Sequence, residues 1–254
     1  SRRRQRQMCI RDSLGTANVL NSVKDLKKEV TAVIITSDKC YDNLELKRGY
    51  NEKDLLGGKD IYSGSKGAAE LIIKSFYNSF FKNHKYQSTI VSARAGNVIG
   101  GGDWGKDRIV PDAVASWNKN EKLSIRNPLS TRPWQHVLEP ISGYLTLASK
   151  LYLDKNLNGE NFNFGPDETS NKTVKDLIDR LSKRWGFKEK KDSYSIKHIE
   201  DFHEAGLLQL DCTKANNVLD WKPNLSFDQM INFSADWYKE FYNTNDIEGM
   251  AVSY

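Results

Sequence analysis

Cysteine is scarce in this chain of 254 residues: three, at positions 9, 40 and 212. An odd number so widely scattered argues against a disulfide framework and suits a reducing, cytoplasmic setting. Long apolar runs are also missing. None reaches the roughly 20 residues that a membrane helix needs, and no stretch reads as a secretory signal, so no membrane partner is expected. Histidine is rare too, at four. His198, His203 and Glu204 stand close together, but their spacing fits no zinc motif and no cysteine pair accompanies them, so no metal site is expected. Repeats and low-complexity tracts are absent.

A broad excess of one charge is likewise missing. The formal charge is +5, with 28% charged and 38% hydrophobic residues. Residues 1–13 (SRRRQRQMCIRDS) hold five arginines and one aspartate, which is +4 of that total. Such a run suits a nucleic-acid arm or a targeting segment. The reading adopted here is a non-native tail outside the fold, so no nucleic-acid partner is expected. What remains is nearly neutral, with the composition of an ordinary enzyme.

Periodicity gives the element order. Leu14–Lys24 reads as a helix with Val19, Leu20 and Val23 in one stripe. Thr31–Thr36 is a β-branched strand, followed by a polar loop from Asp38 to Ile61. Tyr62–Lys82 is a helix with Ala68, Leu71, Ile72, Phe76, Phe80 and Phe81 at helical spacing, and Ser88–Ala93 is the next strand. Strand, helix, strand implies a parallel sheet with helical crossovers. Further on, Ile109–Asn118 reads as a helix with Pro111 in its first turn. Leu123–Ile125 is a short strand, Arg126–Gln135 a loop and Glu139–Leu153 a helix. Asn161–Gly165 reads as a strand, with helices at Lys172–Trp185 and Ser226–Tyr242.

The chain is organised around residues 34–66. An apolar run stops at Thr36-Ser37-Asp38-Lys39, as a buried parallel strand does when it delivers side chains to a site at its carboxyl end. Tyr62 and Lys66, four apart, share a helix face. A lysine beside a tyrosine favours the phenolate, and with a nearby hydroxyl and carboxylate the pair makes an acid/base centre. Taken alone, Ser37-Asp38 also suits a turn cap. Cys40 reads as a small buried residue.

Tyr-x-x-x-Lys after a strand ending Thr-Ser-Asp, and before a strand leading to Asn97, resembles the extended short-chain dehydrogenase/reductase family. Arg94-Ala-Gly-Asn-Val-Ile-Gly-Gly-Gly-Asp-Trp104, Asp107-Arg-Ile-Val-Pro-Asp112 and the stretch from Arg126 to Pro140 are similar to the CDP-glucose 4,6-dehydratases within it. So are Asn163-Phe-Gly-Pro166, Leu210-Asp211, Lys214-Ala215 and Trp221-Lys-Pro223. The resemblance runs from Leu14 onward. The family's first part, with its glycine-rich phosphate loop, has no counterpart, so the chain reads as roughly the C-terminal two thirds of such an enzyme. An inactive remnant is therefore one alternative; another dehydratase or a 4-epimerase of the family is the second.

The resemblance implies an α/β fold, a Rossmann-like doubly wound parallel sheet with a smaller C-terminal substrate lobe. Residues 14–98 would belong to the NAD-binding part and 99–254 mainly to the substrate lobe, with about 134–153 returning to the sheet. It implies NAD as cofactor, CDP-glucose as substrate, a homodimer, and a product feeding deoxysugar supply for surface polysaccharide. By that pattern Tyr62 removes the 4-hydroxyl proton, and Lys66 supports it and bonds the nicotinamide ribose. Ser37 aligns the sugar hydroxyl. Asp38 acts as general acid on the departing 6-hydroxyl, a role that asks burial to keep it protonated. Lys39 stands where related enzymes carry the base for C5, and either takes that proton or stabilises the enolate as a cation. Ala95 would line the cofactor. Asn97 and Arg132, with Arg126, would hold the diphosphate, and Arg108 and Trp104 would lie near the substrate. Trp104 suits a packing anchor equally well. Gly100–Gly102 suits either close approach to a ligand or a flexible turn. His136 reads as structural.

Overall fold

The computed structural model describes residues 11–83, 88–167, 171–197 and 207–244. Among them, residues within 1–96, 138–168 and 208–223 form one compact unit, and those within 97–137, 169–207 and 224–254 form another.

In the first unit, β1 (Thr31–Ile35), β2 (Thr89–Ala95) and β7 (Asn161–Phe164) make a parallel sheet in the order β1-β2-β7. Thr31 to Ile35 lie opposite Thr89 to Ala93, and Ser92 to Ala95 opposite Asn161 to Phe164. Parallel pairing requires long crossovers, supplied by α2 (Ile61–Phe76) between β1 and β2 and by α4 (Leu138–Leu153) before β7. Alternation along the strands sorts two cores. Ile90 is buried on the face covered by Leu20 and Val23 of α1 (Thr16–Asp25) and by Ile73, with Ala32 and Ile34 packed alongside. Val91, Ala93, Phe162 and Phe164 are buried on the other face, with Leu147 and Leu151 of α4, Leu219 and Trp221. Every residue of β2 is buried, as a central strand covered on both faces must be. β1 has a single neighbour among the described residues, and Ile35 is 54% exposed.

Several details differ from the sequence reading. The stretch 126–135, expected as a loop, holds the short strand Thr131–Arg132 and the start of another at Gln135, each fixed by a partner strand distant in sequence. The helix expected over 62–82 starts at Ile61 and ends at Phe76; Tyr77–Phe81 continues as a wider π turn. At the junction the Tyr77 N–H is shared between the carbonyls of Ile73 and Lys74, and Lys82 N–H closes the wider turn on Tyr77 O, with Phe81 fully buried. Residues 11–13, the end of the stretch expected to lie outside the fold, belong to a π turn over Arg11–Gly15 that leads into α1.

The second unit is held by pairs of short strands. β3 (Val98–Ile99) runs parallel to β6 (Gln135–His136), and β4 (Leu123–Ile125) parallel to β9 (Tyr194–Ile196). β5 (Thr131–Arg132) runs antiparallel to β8 (Lys172–Thr173). Around them lie α3 (Ile109–Asn118), α5 (Val174–Trp185) and α7 (Phe227–Thr244); a further helix, α6 (Thr213–Leu219), belongs to the first unit. The Thr173 hydroxyl and Asp176 cap the start of α5 reciprocally, the arrangement that satisfies two orphan amides at once. Val110, Val114 and Trp117 of α3 meet Leu177, Ile178 and Leu181 of α5 and Met230, Ile231 and Tyr238 of α7 in one core. Among the described residues, no helix is long and apolar enough to cross a membrane.

Candidate functional site

The carboxyl end of β1 opens into a buried polar turn. Thr36 and Ser37 are each 9% exposed and Asp38 2%. Ser37 is extended, and its Oγ both accepts the Lys39 N–H at 3.2 Å and donates to Asp38 Oδ1 at 2.9 Å. The turn closes through Cys40 N–H to Ser37 O at 3.1 Å and Tyr41 N–H to Asp38 O at 3.4 Å. Ser37 is thus a cap, as its type predicts, and also a hydroxyl held against a buried carboxylate. Cys40 is fully buried and its thiol is pushed up far beyond the ordinary range by that burial, so it carries no thiolate.

Opposite the turn stands the first part of α2. Asp60 caps it, accepting the N–H groups of Tyr62 and Ser63 and the Ser63 hydroxyl. Burial alone would raise the Asp60 carboxyl, but the Ser63 hydroxyl, the two amides and the nearby Lys39 ammonium outweigh it and hold it below the usual carboxylate range. Tyr62 and Lys66 are half-buried on one face, with Lys66 Nζ 5.5 Å from the centroid of the Tyr62 ring. Lys66 Nζ also lies 3.2 Å from Asp12 Oδ2, which the Ser65 hydroxyl approaches at 3.3 Å. The helix comes close to the turn because Gly67 has no side chain. A Cβ there would stand 3.1 Å from Gly57 O and 3.3 Å from Cys40 O, and Gly57 N–H bonds Cys40 O at 2.9 Å.

Beneath this centre lies a network that pattern reading passed over. Glu70 and Arg94, 3% and 2% exposed at their side chains, form an ion pair at 2.7 Å. The other Glu70 oxygen accepts the Thr36 hydroxyl, and Ser92 donates to Glu70 Oε2 at 2.9 Å. Arg94 reaches the Tyr41 hydroxyl at 2.9 Å, and that hydroxyl donates to Asn163 Oδ1 at 2.8 Å. The signal was present: an arginine in a strand whose other residues are small or apolar, and a glutamate on the inner face of the preceding helix. A charge placed so deep implies a partner. Ala95 ends β2, 7% exposed.

The remaining candidates lie in the second unit. Asn97 is half-buried and its carbonyl accepts Gln135 N–H at 3.0 Å. Arg108 and Arg126 are exposed, paired with Asp103 at 2.8 Å and with Asp107 at 3.6 Å respectively. Arg132 is buried, 3% exposed, and donates to Thr131 O at 2.7 Å. Trp104 packs among the α7 aromatics, 4.7 Å from the Phe241 ring and 5.4 Å from Tyr238, with 46% of it exposed. The three glycines before it approach the chain's own side chains. A Cβ on Gly100 would stand 2.7 Å from Val137 Cγ1, and Gly102 has φ +76°. At Gly101 a Cβ would stand 2.1 Å from Trp237 Cδ2. Gly101→Ala is accordingly expected to cost about 1–3 kcal/mol through overpacking, read as a lower midpoint in chemical denaturation. His136 is fully buried, and burial lowers its pKa; the neutral ring packs edge-on to Phe233 at 5.9 Å. No group of three or more metal-ligating side chains occurs among the described residues. His198, His203 and Glu204 lie outside them.

A family model described as GDP-mannose 4,6 dehydratase matches residues 6–233. The CDP-glucose 4,6-dehydratase of Salmonella typhimurium is 44% identical over 237 residues, 92% of this chain and 65% of that protein. The dTDP-D-glucose 4,6-dehydratase of Dictyostelium discoideum is 26% identical over 181 residues, 66% of this chain and 39% of that protein. The chain therefore spans less than two thirds of the length of each. Among solved structures, dTDP-glucose 4,6-dehydratase from Bacillus anthracis in complex with NAD superposes with a TM-score of 0.75 at 24% identity, covering 92% of this chain and 69% of that one. UDP-glucuronic acid 4-epimerase from Bacillus cereus superposes with a TM-score of 0.77 at 21% identity, with the same coverage. At those identities the likeness establishes the fold, a Rossmann-like α/β architecture.

Proposed function

Because the chain belongs to the GDP-mannose 4,6-dehydratase family, we propose that it is an NAD-dependent hydro-lyase converting CDP-glucose to CDP-4-keto-6-deoxyglucose. The observation that carries this reading is the turn Ser37-Asp38-Lys39, with its carboxylate buried at the end of β1, set against the Tyr62–Lys66 face of α2. Epimerisation at C4 needs the tyrosine and lysine alone. A buried acid with a cation beside it is the equipment for expelling a hydroxyl. The choice of CDP-glucose rests on the 44% identity to the Salmonella protein.

The residues present fit the nicotinamide end of the cofactor. Lys66, Tyr62 and Ser37 offer donors beside the ends of β1 and β2, where Ala95 presents only a methyl group. NAD bound there supplies hydride acceptance from C4 and hydride return to C6. The chain's own groups do the rest. Tyr62 takes the 4-hydroxyl proton while Ser37 holds that hydroxyl in line, and Asp38 donates a proton to the leaving 6-hydroxyl. Lys39 lies near the Asp60 carboxylate, so we assign it the cationic role, stabilising the enolate while solvent water takes the C5 proton and returns one to C5 once the 6-hydroxyl has left. Arginine keeps the charge and cannot act as a base. Lys39→Arg is therefore expected to retain dehydration within about tenfold of the parent rate, whereas loss of a true base costs about 10²–10⁴-fold. A loss of that larger size would reassign Lys39 as the base. For the diphosphate we propose Asn97, Arg126 and Arg132, and for the sugar's surroundings Arg108 and Trp104.

The deciding experiment is mass spectrometry of the chain incubated with NAD and CDP-, dTDP-, GDP- and UDP-hexoses. Loss of one water from CDP-glucose alone is the expected result. Loss from another nucleotide sugar would move the substrate assignment, and isomerisation without water loss would make the chain an epimerase.

A further inference from the structure

The acid/base roles above leave the buried Glu70–Arg94 pair without a task. We propose that Glu70 is a positioning residue whose carboxylate locks the Tyr62–Lys66 face of α2 in register with the Ser37–Asp38 turn; this rests on the function proposed above. Tyr62, Lys66 and Glu70 follow one another at i, i+4 and i+8, so they lie on one face of the helix. One Glu70 oxygen accepts the hydroxyl of Thr36, the residue before Ser37, and the other accepts Ser92 and Arg94 of β2. Thr36 is tied from its other side by its N–H to Ala93 O at 2.8 Å. Arg94 carries the grip to the far end of the turn. Its guanidinium bonds the Tyr41 hydroxyl at 2.9 Å and lies 5.0 Å from that ring's centroid, and Tyr41 N–H closes the turn on Asp38 O. Residues 36 and 41 are thus both fastened to one point on α2, one helical turn beyond Lys66. Sliding the helix by even one residue's rise of about 1.5 Å would break these bonds.

Stability alone is a poor account of such a pair, because apolar residues of similar volume commonly serve as well or better in its place. Placement is the better account. A catalytic group displaced by about 1 Å can cost on the order of 10²-fold in rate, and this carboxylate fixes the helix that carries two such groups to the turn that carries two more.

The test uses Glu70→Gln combined with Arg94→Gln, which removes both buried charges together and leaves a polar amide at each position. Leu147→Ala, on the opposite face of the sheet, serves as a control for general destabilisation. Two readouts are compared with the parent: amide hydrogen exchange of a peptide spanning residues 36–41, and kcat and KM for water loss from CDP-glucose. The double variant is expected to exchange the turn amides about tenfold faster and to lose about 10²-fold in kcat with little change in KM. The control should lower the melting temperature yet leave kcat and the exchange of the turn unchanged. Glu70→Asp keeps the charge but shortens its reach, and should show the same changes at smaller size even if the double variant does not fold. Parental exchange in the turn, or a kcat loss no larger than the control's, would overturn the assignment. If the parent itself removes no water, the proposed function fails, while the exchange comparison still decides whether Glu70 holds the turn.

Discussion

Asp38→Asn is expected to separate the two halves of the reaction. Asparagine matches aspartate in size, and its oxygen can still accept the Ser37 hydroxyl that now bonds Asp38 Oδ1 at 2.9 Å. What it lacks is a proton acidic enough to give to a departing hydroxyl. Water loss should fall by about 10²–10⁴-fold, the usual worth of a positioned general acid. Oxidation at C4 should continue, so reduced nicotinamide accumulates by absorbance where the parent shows only a transient. Dehydration at the parental rate would mean that some other group donates the proton and that the buried carboxylate serves only to hold the turn.

Tyr62→Phe should fail one step earlier. The phenylalanine ring keeps the packing of a half-buried side chain and still offers a face to the Lys66 ammonium, now 5.5 Å from its centroid, so the fold should be unaffected. Without the hydroxyl nothing takes the 4-hydroxyl proton. Both C4 oxidation and water loss should drop by about 10²–10⁴-fold, with no reduced nicotinamide accumulating. Combined with Asp38→Asn, the tyrosine variant should dominate, because the later step is never reached. If Tyr62→Phe accumulates reduced nicotinamide as readily as Asp38→Asn does, the phenol is not the base and the order of steps proposed here is wrong.

The elements that sequence shows most clearly are those with their own punctuation. The helix Ile109–Asn118 is legible to the residue, because Pro111 sits in its first turn and Val110, Val114 and Trp117 recur at helical spacing. The nearness of Tyr62 and Lys66 in the proposed acid/base centre is legible for a related reason. Strand-end polarity and a four-residue spacing are local facts, and the structure sets Lys66 beside Tyr62 as the spacing implies. What is hidden depends on distant partners. Two-residue strands such as Val98–Ile99 have no periodicity to read, and they exist only because Gln135 and His136 lie alongside. The wide turn at Tyr77–Phe81 keeps a helical apolar pattern while changing its winding. Asp12 meets Lys66, and the composition of its stretch says nothing of such a contact. Trp104 and Gly101 show a further limit, because a motif can mark a position without saying whether a ligand or the chain's own Trp237 fills the space beside it.

The strand order of the sheet bears on how the chain is made. β2 lies between β1 and β7, yet Phe164 of β7 is synthesised long after Ala95 of β2, and Trp221, which meets the Phe164 ring at 4.9 Å, later still. At ordinary rates of translation the interval from Ala95 to Phe164 is roughly 3–14 s. Throughout it, the nascent molecule carries an apolar central strand with one edge open, the kind of template that pairs with whatever strand arrives. Slower production and chaperone cover should therefore raise the yield of soluble protein more than any reinforcement of the finished core. The weak point of this molecule lies in the schedule of its manufacture.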